Sequence, residues 1–391
     1  MLKNLRNSFS VWEDWYHTHQ KKITLAVNIK IKNKKLYEEL ETVCEKQHGV
    51  LTYAEYLAID QFGKYGFYAT STKHGKTDIH FRWGKALANY CYKNGYNRII
   101  EIGCGTGELG ISISKKYKQL TASSLHWTGV ELDKNIHKKI LENFRTNNCE
   151  TSVESIVTSI DEISIREKTL VVFPYSLDNM PPQVFLNTES YSSYPNAILG
   201  LTFTKGTLSE TLIPQEILEK KRLKLEKGIF SQDNFSFDLS AWKLRRGQRS
   251  YLSTDAYELI YRCAKKFSDS PLLIIDEMRE EHWNFNLKNL GIPKSLYEKN
   301  LFSNERKRYY HESGQHNLYY PLYKISLLKF LSQIGYRSIE YEIEQKKAAE
   351  LSNTPWYSLR KNYATFALIA KNFYPKEIRV LSIPSPQRKL L

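Results

Sequence analysis

Short apolar, β-branched runs alternate with segments of helical spacing through the middle of this chain. Arg98-Ile99-Ile100, His126 to Val130, Val153 to Val157, Leu170 to Phe173 and Pro271 to Asp276 read as five strands. The segment opening at Leu109 and the stretch Ile136 to Phe144 carry apolar residues at helical spacing. Strands that alternate with helices predict an α/β fold built on a doubly wound sheet. Tyr336 to Ile343 and Ala364 to Ala370 read as the last strands, an antiparallel hairpin at the sheet edge.

Ahead of the first strand, the pattern is read as helical. Leu5, Phe9, Trp12 and Trp15, then Leu25, Val27 and Ile29, are the apolar positions, and Lys30 to Lys35 reads as a solvated linker or helix end. Thr52 followed by Glu55 marks a helix start, and Phe81 to Tyr90 reads as the helix leading into the first strand. The gap between strands four and five, from about 185 to 268, is too long for one crossover and predicts an inserted lobe, helical or mixed.

Composition narrows the class without naming a partner. With 391 residues, 41% hydrophobic and 13% aromatic, the chain has ample core for a large globular fold. Its five cysteines form no C-x-x-C pair or His/Cys cluster, so neither a zinc site nor a disulfide framework is indicated. No apolar run approaches a membrane span, and the expectation is a cytoplasmic protein. The net charge of +15 is interleaved with acids along the chain, as in Glu219 to Lys227. Nucleic acid is therefore not favoured on charge alone, since an acidic protein or peptide would use the same field equally well.

The candidate chemistry lies at the end of the first strand. Glu101 precedes three glycines at alternate positions, Gly103, Gly105 and Gly107, and a helix follows. Strand, tight turn and helix N-terminus bring bare backbone against a nucleotide-like ligand. The acid before the first glycine would repel a pyrophosphate, but it can receive a cationic group directly or through water. This spacing resembles the loop of class I methyltransferases that bind S-adenosylmethionine. Glu131, at the tip of the second strand, then stands where an acceptor for ribose hydroxyls belongs; Asp133 is the alternative, but Glu131 directly follows the strand. Asp161, after the third strand, is a candidate acceptor for the adenine amino group.

Strand four delivers Phe173-Pro174-Tyr175-Ser176-Leu177-Asp178 to the carboxyl end of the sheet. Pro174 stiffens the backbone there and is a candidate donor-binding residue, and Tyr175 and Asp178, the catalytic candidates, could pack against and hydrogen-bond an acceptor nitrogen. Asp276, Glu277, His282 and Trp283, at and beyond strand five, are further candidates for the acceptor pocket.

Together, Leu51 to Tyr68, the helix at Trp83 to Ala88, the glycine loop and Leu177-Asp178-Asn179-Met180-Pro181 resemble the MidA-type methyltransferases, which include an arginine-methylating assembly factor of mitochondrial complex I. Leu244 to Ala256 is similar to a further stretch of that family. The resemblance implies a class I Rossmann-like fold, S-adenosylmethionine as methyl donor and a side-chain nitrogen of a peptide or protein as acceptor. It divides the chain into an N-terminal helical region (1–95), a donor-binding core (96–185), an inserted lobe (186–268), the rest of the sheet (269–375) and a flexible tail (376–391).

Where the family carries glutamates, after strand four and before its Ser-Pro pair, this chain has Pro174-Tyr175 or Tyr175-Ser176, and Tyr251-Leu252-Ser253. Phe173-Pro174-Tyr175 is instead similar to the Asn-Pro-Pro-Tyr motif of enzymes acting on planar amines and amides. An amide acceptor thus stands beside a guanidinium. A small-molecule methyltransferase and a non-catalytic assembly partner remain alternative readings.

Overall fold

The computed structural model describes residues 23–279 apart from short gaps (24, 71–77, 165–168, 175, 193, 234, 241, 243, 245, 268–269, 271 and 277), parts of 310–334, and 381–383. The central sheet contains β1 (Arg98–Ile102), β2 (His126–Val130), β3 (Val153–Val157), β4 (Thr169–Pro174), β5 (Leu272–Ile275) and β6 (Leu381–Ile383). Their spatial order is β6-β5-β4-β1-β2-β3, with β1 to β5 parallel and β6 antiparallel to β5. The order reverses beside β1, so the switch point, where ligands of such sheets bind, lies between β1 and β4.

Helices α1 (Asp78–Asn94), α2 (Glu108–Thr121), α3 (His137–Thr146) and α4 (Thr254–Lys266) accompany this sheet. The five parallel strands fall where the sequence pattern puts them. The two expected last strands, at 336–343 and 364–370, lie outside the described residues. Instead Leu381–Ile383, inside the segment read as a flexible tail, forms the antiparallel edge strand. Its alternating Leu381 and Ile383 are the strand signal, masked in the sequence by the prolines and basic residues that follow.

One side chain fixes how α2 lies on the sheet. Trp127 of β2 is fully buried, with its ring 4.6 Å from that of Phe144 on α3. A Cβ on Gly110 would stand 2.3 Å from Trp127 Nε1, and one on Gly129 would stand 2.4 Å from its ring. The indole therefore needs both glycines to lie between helix and strand.

The inserted segment is mostly antiparallel sheet. Strands Gln183–Leu186, Ala197–Thr204, Thr207–Leu212 and Arg249–Leu252 form it, with Ile29–Lys30 and Leu51–Thr52 added from the N-terminal region. A smaller meander, Leu223–Glu226, Ile229–Gln232 and Phe235–Asp238, and a short helix, Gln215–Lys220, complete it. The N-terminal region is thus not wholly helical. Leu25, Val27 and Ile29 are spaced by two, a strand's period, and Ile29 pairs with Leu208. The helix over Tyr53–Phe62 forms as expected, closed by the reciprocal bonds of Thr52 and Glu55.

This lobe sheet is sandwiched between two cores, and the period of two shows how. Phe185, Ile198 and Leu252 pack into the core of the parallel sheet and α4. Val184, Leu199, Leu201 and Tyr251 pack on the other side, against the helices Lys34–Lys46 and Tyr53–Phe62. Among those buried residues sits Glu210, its carboxylate held by both terminal nitrogens of Arg249 at 2.8 and 2.9 Å, by Tyr53 and Tyr310 hydroxyls, and by the Ala26 N–H. Among the described residues, no helix is long and apolar enough to cross a membrane.

Candidate active site

The loop Gly103–Gly107 leaves β1 with all three glycines at positive φ, between +52° and +80°. A Cβ at Gly103 would meet Ser176 at 2.7 Å, so the loops after β1 and β4 touch at the switch point. A Cβ at Gly107 would strike Phe144 at 2.8 Å, whereas one at Gly105 would meet nothing within 4 Å. Gly105 thus presents bare backbone to open space. The loop is anchored from beneath by the Val130 carbonyl, which accepts from Gly103 and Cys104 N–H, and from the side by Asn143, whose amide donates to the Thr106 carbonyl.

Glu131 comes directly to this loop: its Oε2 accepts the Gly105 N–H at 2.9 Å, and its Oε1 the Asp133 N–H at 3.3 Å. Burial pushes the Glu131 carboxyl up, and the two N–H bonds pull part of the way back. Asp133 is used instead as a cap, accepting from Asn135 N–H. His137, which no local signal marked, donates through Nε2 to the Glu131 carbonyl at 3.0 Å and holds the strand tip.

Glu101, expected to receive a cationic group directly or through water, lies beneath the loop. It is 2% exposed, and its carboxylate accepts from Trp127 Nε1 at 2.7 Å and from the Gly110 N–H. Burial raises its pKa to about 8, partly opposed by those two bonds and augmented by the nearby Glu131 charge. Glu101 braces the loop from below. Asp161, expected as an acceptor for the adenine amino group, is exposed and pairs with Arg262 of α4 at 2.5 Å. The described contacts give it no link to Glu131 or the glycines.

On the acceptor side, Pro174 is buried at the end of β4, paired with Ile275 of β5. Tyr175, Glu277, His282 and Trp283 lie outside the described residues. Asp178 is 2% exposed; its carboxylate accepts from Asn179, and its carbonyl accepts the Tyr320 N–H at 2.5 Å. Asp276, fully buried at the end of β5, accepts the Leu177 and Asp178 N–H groups at 2.7 and 3.3 Å. It therefore ties the loop after β4 to β5. Tyr68 reaches the same loop through a 3.1 Å bond to Asn179.

These residues fit S-adenosylmethionine. The bare backbone at Gly105, the N-terminus of α2 and the buried Ser176 hydroxyl, which has no hydrogen-bond partner, leave polar capacity at the switch point. Glu131 stands at the strand tip to take ribose hydroxyls. A parallel sheet of this order with such a loop defines a class I methyltransferase.

Comparison with known families agrees. The chain belongs to a family of S-adenosyl-L-methionine-dependent methyltransferases, whose pattern matches residues 84–283. It is similar in fold to a superfamily protein from Burkholderia thailandensis bound to S-adenosyl-homocysteine, with a TM-score of 0.61, 12% identity, and coverage of 90% of this chain and 92% of that one. An uncharacterised superfamily protein from the same organism, in its native crystal form, gives a TM-score of 0.58 at 12% identity and the same coverage. No curated protein matches the chain.

Proposed function

We propose that this methyltransferase acts on a side-chain nitrogen, amide or guanidinium, of a peptide or protein. The observation that carries this reading is the pair of buried carboxylates, Asp178 and Asp276, at the carboxyl ends of β4 and β5 and directly beyond the donor loop. Carboxylates fixed at this end of the sheet suit an acceptor that brings N–H donors and disfavour an oxyanion. The likeness to MidA-type enzymes supports a polypeptide as carrier of that nitrogen.

When bound, S-adenosylmethionine would supply an electrophilic methyl carbon to the acceptor nitrogen, leaving as S-adenosylhomocysteine while the nitrogen's proton passes to solvent. The chain's own residues have then only to bind and align. The start of α2 offers N–H groups to the donor, Gly105 offers bare backbone for close approach, and Glu131 offers its carboxylate. Asp276 fixes the backbone of Leu177 and Asp178 against which the acceptor lies. Alignment of this kind supplies much of a transfer rate, with effective molarities reaching about 10⁵ M.

The test is incubation of the protein with methyl-tritiated S-adenosylmethionine and a lysate of cells that lack it. Label is expected in the protein fraction, as N-methylated residues after acid hydrolysis. Label confined to RNA or to small molecules overturns the reading.

A further inference from the structure

Beyond Asp178 and Asp276, a second group of polar side chains faces the same end of the sheet, from the lobe. Gln183 opens its strand immediately after the β4 loop and pairs with Leu252. The alternation that sends Val184 and Tyr251 to the far core puts Gln183 with Phe185 and Leu252 on the face turned toward the donor half. Gln183 is 4% exposed; its Nε2 donates to Thr52 Oγ1 at 3.3 Å, while its Oε1 has no partner.

Ser253, next to Leu252, is 2% exposed and is the N-cap of α4. A serine there ordinarily accepts an N–H of the first turn. Here it makes no capping bond, and its Oγ has no partner. Because α4 leads into the amino end of β5, its own N-terminus stands at the carboxyl end of the sheet, the end that carries Gly105 and Glu131.

Asp255 follows in the first turn of α4. Its Oδ1 takes a long 3.4 Å bond from Thr254, and burial beside Glu258 lifts its carboxyl toward neutrality, with a smaller push from Glu55. Glu55 itself is matched by Lys221, at 2.8 Å. An unpaired buried polar atom costs about 1–3 kcal/mol; Gln183 Oε1 can only accept and Ser253 Oγ can accept or donate, so both can take N–H groups beside an acid.

Resting on the reading of a nitrogen acceptor, we infer that Gln183 Oε1, Ser253 Oγ and the Asp255 carboxylate form the polar end of the acceptor pocket and receive the N–H fork of the substrate. The class of ligand this takes is a planar group with at least two N–H donors, a primary amide or a guanidinium. The Asp255 charge and Gln183 Oε1 disfavour an anionic group, whereas the Ser253 hydroxyl can donate as well as accept.

The experiment is saturation-transfer NMR on the full chain loaded with S-adenosylhomocysteine, using acetamide, methylguanidinium and acetate as probes. Acetamide or methylguanidinium is expected to bind at millimolar concentration, and acetate is expected not to bind. Ser253→Ala should weaken the N–H probes at least fivefold. Asp255→Asn should weaken methylguanidinium at least fivefold and acetamide less, a charge-selective loss that a merely structural role would not produce. Both variants should keep wild-type affinity for S-adenosylhomocysteine, measured by calorimetry. If the loaded wild type binds neither N–H probe, binds acetate as well, or loses nothing in the variants, the inference is overturned while the donor site stands. If the wild type binds no S-adenosylhomocysteine at all, the functional reading fails with it.

Discussion

The donor half and the inserted lobe of this molecule solve different problems with different means. The donor half binds with main chain: three glycines at positive φ, one strand-tip acid, and a buried carboxylate and indole beneath. All of that lies within Glu101 to Phe144. The lobe is held by side chains that meet from far apart, as Glu210 does with Tyr53, Arg249 and Tyr310. One half is a local motif and the other is a long-range agreement.

The sharpest way to break that contrast is Arg249→Leu. Glu210, whose side chain is wholly buried, would then lose its cation. Removing one partner of such a pair costs about 3–5 kcal/mol, to be read from urea denaturation. If the two halves are energetically separate, affinity for S-adenosylmethionine in the remaining folded protein should hold. Glu131→Ala should do the converse, leaving stability nearly unchanged. Loss of hydrogen bonds to a charged group predicts a drop of about 1.5–3 kcal/mol in donor binding, roughly ten- to hundredfold by calorimetric titration.

Gly110→Ala probes the support beneath the loop. Helix propensity alone would favour the change by about 1 kcal/mol. The new Cβ, however, meets the indole at 2.3 Å, and Trp127 is packed on both sides and cannot yield cheaply. Overpacking should win, for a net loss of about 1–2 kcal/mol in thermal or urea unfolding.

A last effect is a pH slope. Glu101 titrates near 8 when folded against an ordinary 4.5, so between these values the unfolded chain is ionised while the folded one holds its proton. Its contribution to stability is full below about 4.5 and is lost as pH rises toward and through 8. Glu101→Gln should flatten that fall, seen as a smaller difference between urea midpoints at pH 5 and pH 8.

The same contrast explains what could be read from the sequence. The glycine loop, Glu131 and the parallel strands are contiguous patterns whose spacing is dictated by local geometry, so they stand out. Glu101 carries the right type at the right place, yet its side chain turns inward because Trp127 offers a buried donor, a contact 26 residues away. Asp161 could be placed after β3, but not given its pairing. Its partner, Arg262, is 101 residues distant and no spacing rule reaches it. Asp276 could be placed at the end of β5 but not given its role, since the N–H groups it accepts lie 99 and 98 residues earlier. The lobe was legible as an insertion but not as a sheet, because its strands pair across the insertion and with the N-terminal segment.

The Glu210 cluster also bears on how the chain is made. Synthesis runs from the N-terminus, and domains fold as they emerge. Tyr53 and Ala26 precede Glu210 off the ribosome, and Arg249 follows after 39 residues, but Tyr310 arrives only 100 residues after it. The lobe's central carboxylate therefore waits, partly satisfied, until most of the parallel sheet has also been synthesised. A nascent chain halted between 250 and 310 should carry a lobe that is neutralised but not yet closed, a natural point at which a folding helper or a protease would meet it.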